Sequence, residues 1–184
     1  MQSEPVRKAG RILSHGGVVA YPTEGVFGLG ARPESLDGAA RILTIKQRDP
    51  DAGMILIAAR PEQLEDWVAA DVDVGRLSSS AQHPVTWIVR PSAEVPYWIT
   101  GANDGVAVRI TTHPIAAALC DATESALIST SANVAGRSPA RNALLLRRQF
   151  RNSVDYVVPG RCGPAAGPSE IRILDTNQII RRAS

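Results

Sequence analysis

Aromatic residues are scarce in this chain: three Trp, three Tyr and two Phe among 184 residues. A groove that holds single-stranded nucleic acid by base stacking needs several rings on one surface, so that function is disfavoured. Cysteine is nearly absent. Cys120 and Cys162 alone build neither a disulfide framework nor a zinc site, and Cys120, in the apolar run "IAAALCDA", reads as a small core residue. The three histidines are scattered without metal-ligand spacing, so no protein metal site is expected. No continuous apolar stretch reaches the roughly 18–20 residues of a membrane span. The first ten residues, "MQSEPVRKAG", lack the apolar segment of a signal peptide, which makes a reducing cytoplasm the expected location.

Several catalytic signatures are missing too. "GVFGLG" has neither dinucleotide-binding nor P-loop spacing, and no G-x-S-x-G elbow occurs. Net charge is only +2, so a nucleic-acid role would need a local patch. Arg147, Arg148 and Arg151, then Arg181 and Arg182, do cluster, but most read as solvated helix faces and a basic tail. Lysine is the rarest cation. Of twenty Lys and Arg, only Lys8 and Lys46 are lysine.

What is present is an alternation of apolar segments. Ser3 and Pro5 open a helix with Val6, Ile12 and Leu13 on one stripe, and Gly16-Gly17 stop it. "VVAYPT" reads as a buried strand and the glycine-rich "EGVFGLGA" as a loop. Ser35 starts a second helix that ends near Lys46. "MILIAA", "VTWIV", "GVAVRI" and "ALISTSAN" read as strands, "PEQLEDWVA", "HPIAAALCDA" and "ARNALLLRRQF" as helices. The strands "VDYVV", "SEIRILD" and "QIIRR" crowd the C-terminus. The pattern predicts an α/β fold, one domain over residues 1–184, with a twisted, mixed sheet flanked by helices.

Four strand ends turn polar together: Tyr21-Pro22-Thr23-Glu24, Arg109, Ser129-Thr130-Ser131-Ala132-Asn133, and Pro168-Ser169-Glu170. Ligands in open α/β sheets sit beyond strand ends. "STSAN" can equally be a turn whose side chains bond the local backbone. Lys46 and Arg48 pose the same choice. They can end a helix, where positive charge is favoured. They can also bind one anion through a point charge and a planar fork. His113-Pro114 most simply caps a helix. Cations and hydroxyls without an obvious general base suit electrostatic stabilisation of phosphoryl or nucleotidyl transfer.

Taken together, "GGVVAYPTEGVFGLG", "ILTIKQR", "MILIAA", "PVTWIV", "VAVRITTHPIAAAL", "ISTSANVAG", "VPG" and "PSEIR" resemble, in order, the YrdC/TsaC family of threonylcarbamoyl-AMP synthases. The family signature K-x-R with a distant S-x-N matches Lys46-Gln47-Arg48 and Ser131-Ala132-Asn133. The chain resembles the short, single-domain form. The resemblance implies a YrdC-like fold with a concave basic cleft. Lys46 and Arg48 would face ATP phosphates as catalytic residues, with Ser131, Asn133 and Arg181 completing the ATP site. Thr23, Arg109, Ser129 and Ser169 would hold L-threonine.

The implied nucleotidyltransferase reaction joins L-threonine, bicarbonate or CO2, and ATP, with Mg2+ accompanying the triphosphate. Its product, threonylcarbamoyl-AMP, passes to transferase partners that modify tRNAs reading codons that begin with A. The sequence departs from the family pattern in three places. Ala81-Gln82-His83 replaces a Trp-Pro-Gly run, Asp49 precedes Pro50 where proline usually follows K-x-R, and Ala52 stands where a polar or basic residue is common. The competing expectation is a module that binds double-stranded RNA or tRNA, or acts in ribosome maturation, without catalysis. No membrane partner is expected.

Overall fold

The computed structural model describes residues 2–134, 136–150 and 153–183. Arg151, grouped above with the basic residues of its helix, lies outside them. Among the described residues nine strands form one mixed sheet: β1 (Val19–Pro22), β2 (Phe27–Ala31), β3 (Ile55–Ala58), β4 (Val85–Val89), β5 (Val106–Ile110), β6 (Leu127–Ser131), β7 (Tyr156–Val157), β8 (Glu170–Ile173) and β9 (Ile179–Arg181). Their order is β7-β1-β2-β6-β3-β5-β4-β8-β9. The pairs β1–β7, β3–β5 and β4–β8 run parallel, and the rest are antiparallel.

Strand alternation divides the core in two. On one face Val19 and Tyr21 of β1, Ile57 of β3 and Leu127 of β6 pack under two helices, α1 (Glu4–Ser14) and α4 (Pro114–Thr123). On the other face Ala20, Leu56, Ala58, Val106, Val108 and Ile128 join a larger cluster with Ala39 and Ile42 of α2 (Leu36–Lys46). Helix α5 (Ala143–Phe150) adds Leu146 and Phe150 to that cluster. The predicted stripe of α1 holds for Val6 and Leu13. Ile12 is only partly buried, and Ala9 completes the stripe. Ser35 caps α2 as predicted, accepting a bond from the Gly38 N–H.

Two sequence expectations are corrected. "EGVFGLGA" was expected as a loop, yet Phe27–Ala31 is a fully buried strand between β1 and β6. Glycine carries little strand propensity, so the signal is hidden. The glycines are needed because Tyr21 lies over the strand. A Cβ at Gly30 would stand 2.7 Å from the Tyr21 ring and 2.8 Å from the Ile128 carbonyl. The helix expected in "PEQLEDWVA" is present as a 3-10 helix over Pro61–Trp67. His113 occupies the cap position of α4, but its side chain does not cap. Its Nε2 meets the Arg161 carbonyl at 3.0 Å instead. One short helix, α3 (Tyr97–Thr100), had no expectation at all.

Candidate active site

Helices α1 and α4 cover only part of their face of the sheet. Beyond them the same side-chain rows continue into a cavity of about 300 Å³. In β6 the row runs from buried Leu127 to Ser129 and Ser131, which line the cavity. In β3 it runs from Ile57 to Ile55, whose register partner Ala107 lies beside Arg109 on β5. The polar strand ends therefore converge through sheet register. Thr23, Arg48, Arg109, Ser129, Ser131, Ser169 and Arg181 all line this one cavity.

Its wall carries three arginines and, among the described residues, no carboxylate. Burial lowers the pKa of Arg48 below the ordinary value. Burial, then the charges of Arg109 and Arg48, does the same to Arg181. Like charges held close in a partly dry cavity attract an anion strongly. Arg181 is steadied by a bond from its Nη2 to the Ser169 carbonyl at 2.9 Å. Ser169 Oγ shares a 2.7 Å hydrogen bond with Thr86. The Thr23 hydroxyl donates to the Val26 carbonyl at 2.7 Å, which leaves its oxygen free to accept from a ligand.

Lys46 and Asn133 are not among the residues that line the cavity. At the end of α2, Gln47 turns left-handed with φ 51, and the N–H groups of Gln47 and Arg48 return to Thr44 and Leu43. That turn sends the two cations apart. Lys46 is 4% exposed, so the pair does not end an exposed helix. Its ammonium donates to the carbonyls of Ser131 (2.5 Å) and Asn133 (3.0 Å) and to Asn133 Oδ1 (3.3 Å). Ser131 Oγ donates to the same Oδ1 at 2.6 Å. The two halves of the signature thus form one hydrogen-bonded unit. Burial, then the Arg48 charge, pushes the Lys46 amine down to about 8.

Arg48 instead reaches Thr130 Oγ1 at 3.4 Å and the Ala52 carbonyl at 3.1 Å. The departure at Asp49 has a local explanation. Asp49 caps the 3-10 turn Pro50–Ala52, accepting from the Asp51 N–H at 2.9 Å, with Pro50 in the first turn. Ala52 lines the cavity, and Gln82 and His83 do not.

Two parts of the site escaped the sequence reading. The first is an apolar wall from Ala52 through Met54 on one side and Ile99 and Thr100 of α3 on the other. Its only sequence signal is the pair of glycines, Gly53 and Gly101, both at positive φ where the segments touch. The second is the role of Glu24, named above only as part of a polar strand end: it is 1% exposed and its carboxylate faces Arg109. Cys120 is buried and Cys162 is half-buried, both as free thiols. Among the described residues no group of three or more His, Cys, Asp or Glu could hold a metal ion, and no helix is long and apolar enough to cross a membrane.

A mixed sheet with a cation- and hydroxyl-lined cavity beyond its strand ends defines the class, and comparison supplies the family. The Sua5/YciO/YrdC family model, described as telomere recombination, matches residues 11–183, and the chain belongs to that family. A threonylcarbamoyl-AMP synthase of Nitrosococcus oceani is 48% identical over 96% of this chain and 96% of its own length. One from Cellvibrio japonicus is 45% identical over 96% of this chain and 94% of its own. A solved structure of P. abyssi Sua5 complexed with L-threonine superposes with a TM-score of 0.86 at 28% identity. It matches 97% of this chain, which spans 54% of the Sua5 chain.

Proposed function

We propose that this protein is a threonylcarbamoyl-AMP synthase, a nucleotidyltransferase that consumes L-threonine, bicarbonate or CO2, and ATP. The observation that carries the proposal is the convergence of Thr23, Arg109, Ser129 and Ser169 with Arg48, Ser131 and Arg181 on one cavity. The names of the relatives and the L-threonine in the P. abyssi Sua5 complex support it. Residues 1–184 act as one domain in this reading.

The threonine amine adds to CO2 and loses a proton, giving a carbamate. A carbamate oxygen attacks the α-phosphorus, and pyrophosphate leaves with the bonding electron pair. Arg109 takes the amino-acid carboxylate through its planar fork. The oxygen of Thr23, its proton already committed to Val26, accepts from the substrate amine or hydroxyl. Arg48 and Arg181 neutralise charge on the phosphates, where positioning and electrostatics do most of the catalysis. Ser131 contacts the nucleotide. Lys46 and Asn133 fix Ser131 through their hydrogen bonds, and Lys46 adds positive charge to the phosphate end.

Mg2+ would arrive with the triphosphate; among the described residues no carboxylate lines the wall, so phosphate oxygens and water would supply its ligands. The product goes to transferase partners in the cytoplasm for modification of tRNA. Pyrophosphate release tests the proposal. It should require threonine, bicarbonate and ATP together. Double-stranded RNA or tRNA binding without pyrophosphate release would favour a binding module instead.

A further inference from the structure

Glu24 lies in the turn between β1 and β2 and ties together three parts of the molecule. Its Oε1 accepts from the Thr111 hydroxyl at 2.7 Å and the Thr112 N–H at 2.9 Å, both just past β5. Its carbonyl accepts from the Ala165 N–H at 2.9 Å, and the neighbouring Thr23 carbonyl accepts from the Gly163 N–H at 2.9 Å. These bonds hold the segment before β8 against the mouth of the cavity. At Gly25 the approach is close enough that a Cβ would stand 2.1 Å from the Gly167 carbonyl.

The carboxylate is fixed, but its second oxygen is underused. Glu24 Oε2 approaches Arg109 Nη2 at 3.4 Å and, among the described residues, has no hydrogen-bond partner. Among the same residues Arg109 Nε is buried without a hydrogen-bond partner. A guanidinium has five N–H donors and matches a carboxylate best side by side through two of them. A buried ion pair kept for stability alone needs good geometry and satisfied donors to offset desolvation. This pair has neither. It has one long contact and an arginine with donors to spare beside the cavity.

Glu24 is also a poor proton acceptor. Burial opposes its ionisation, but the Arg109 charge, the Thr111 hydroxyl and the backbone N–H groups outweigh burial and hold the carboxyl below the ordinary range. It does not line the cavity, whereas Arg109 does.

We propose that Glu24 is a positioning residue that holds the Arg109 guanidinium with free donors toward the amino-acid carboxylate, and so sets affinity for the amino acid rather than the rate of nucleotidyl transfer. The inference rests on the reading of this cavity as the threonine site. The rigid bonds to Thr111 and Thr112 keep Glu24 in place, and the single contact to Arg109 orients the fork without occupying it. Preorganisation of this kind lowers the ordering cost at binding.

The test is a comparison of threonine- and ATP-dependent turnover in the unaltered protein, Glu24→Gln, Arg109→Ala and the double variant, with folding checked by circular dichroism. In Glu24→Gln the amide oxygen can still accept from Thr111 and Thr112, but the amide N–H groups then face the guanidinium. KM for threonine should rise about tenfold or more. KM for ATP and kcat at saturating threonine should stay within about threefold. In the Arg109→Ala background the same change should add nothing to KM for threonine, because the group it positions is gone. Thr111→Val, which removes one donor to Glu24, should raise the same KM by less, and it carries the test if Glu24→Gln does not fold. Unchanged KM for threonine in either single variant, or a fall in kcat alone, overturns the inference while the threonylcarbamoyl-AMP synthase reading stands. Absence of threonine-dependent turnover in the unaltered protein overturns both.

Discussion

Lys46 has three ammonium protons and three oxygens within reach, at Ser131, Asn133 and the Asn133 side chain. Arg48, two residues on, is half-buried and makes looser contacts with Thr130 and Ala52. Their alanine variants should therefore fail differently. Lys46→Ala takes the only side-chain donor from the Asn133 carbonyl, while the Ser131 carbonyl keeps the Asn133 N–H and Asn133 Oδ1 keeps the Ser131 hydroxyl, and it should cost about 1 kcal/mol of stability as well as activity. Arg48→Ala should leave stability nearly unchanged while lowering turnover on the order of 10²–10³-fold, the loss expected for one donor to developing charge. Urea unfolding beside steady-state kinetics separates the two.

The Lys46 amine also sets a pH window. Its folded value is about 8 against an ordinary 10.5. Between these the unfolded chain holds the proton and the folded chain releases it, so this group alone makes stability rise with pH. Activity should do the opposite, falling on an alkaline limb near 8 as the ammonium that holds Ser131 and adds positive charge is lost. A rate profile that stays flat to pH 10 would remove Lys46 from the site.

At the scale of elements, β2 shows how packing can override propensity. One of its rows, Phe27, Leu29 and Ala31, is ordinary core. Its other row is glycine because the Tyr21 ring and Ser129 fill that space. Gly30→Ala adds one methyl group where no atom can yield easily, and overpacking of this kind typically costs about 1–3 kcal/mol. Chemical denaturation should show that loss, with threonine binding also weakened because β2 separates Thr23 from Ser129. Stability equal to that of the unaltered protein would mean that the Tyr21 ring moves aside freely. The 3-10 turn after Arg48 is a second element set by local chemistry. There Asp49 supplies a capping carboxylate and Pro50 a fixed φ.

Across the whole molecule, one face of the sheet is shared between helices and cavity, and that division was only partly legible in the sequence. The buried strands and the α2 and α4 helices announced themselves by apolar runs and caps. So did the polar strand ends Thr23, Arg109, Ser129 and Ser169, since polarity at the end of an apolar strand is a local signal. The glycine strand was hidden, because its fit depends on Tyr21 in the neighbouring strand. The apolar wall of Met54 and Ile99 was hidden for a similar reason. Those residues are 45 positions apart and look like ordinary core until Gly53 and Gly101 bring them together. The burial of Lys46 could not be read from K-x-R, because it depends on a left-handed turn at Gln47 and on β6 lying alongside.

In the proposed reaction, carbon from bicarbonate is joined to the threonine amine and then to the α-phosphate of ATP in this one cavity. The most direct measurement is mass spectrometry of the product formed with ¹³C-bicarbonate. The expected product is threonylcarbamoyl-AMP heavier by the one added neutron, formed only when threonine, bicarbonate and ATP are all supplied. An adenylate that carries threonine but no label, or no adenylate from a folded preparation, would contradict it.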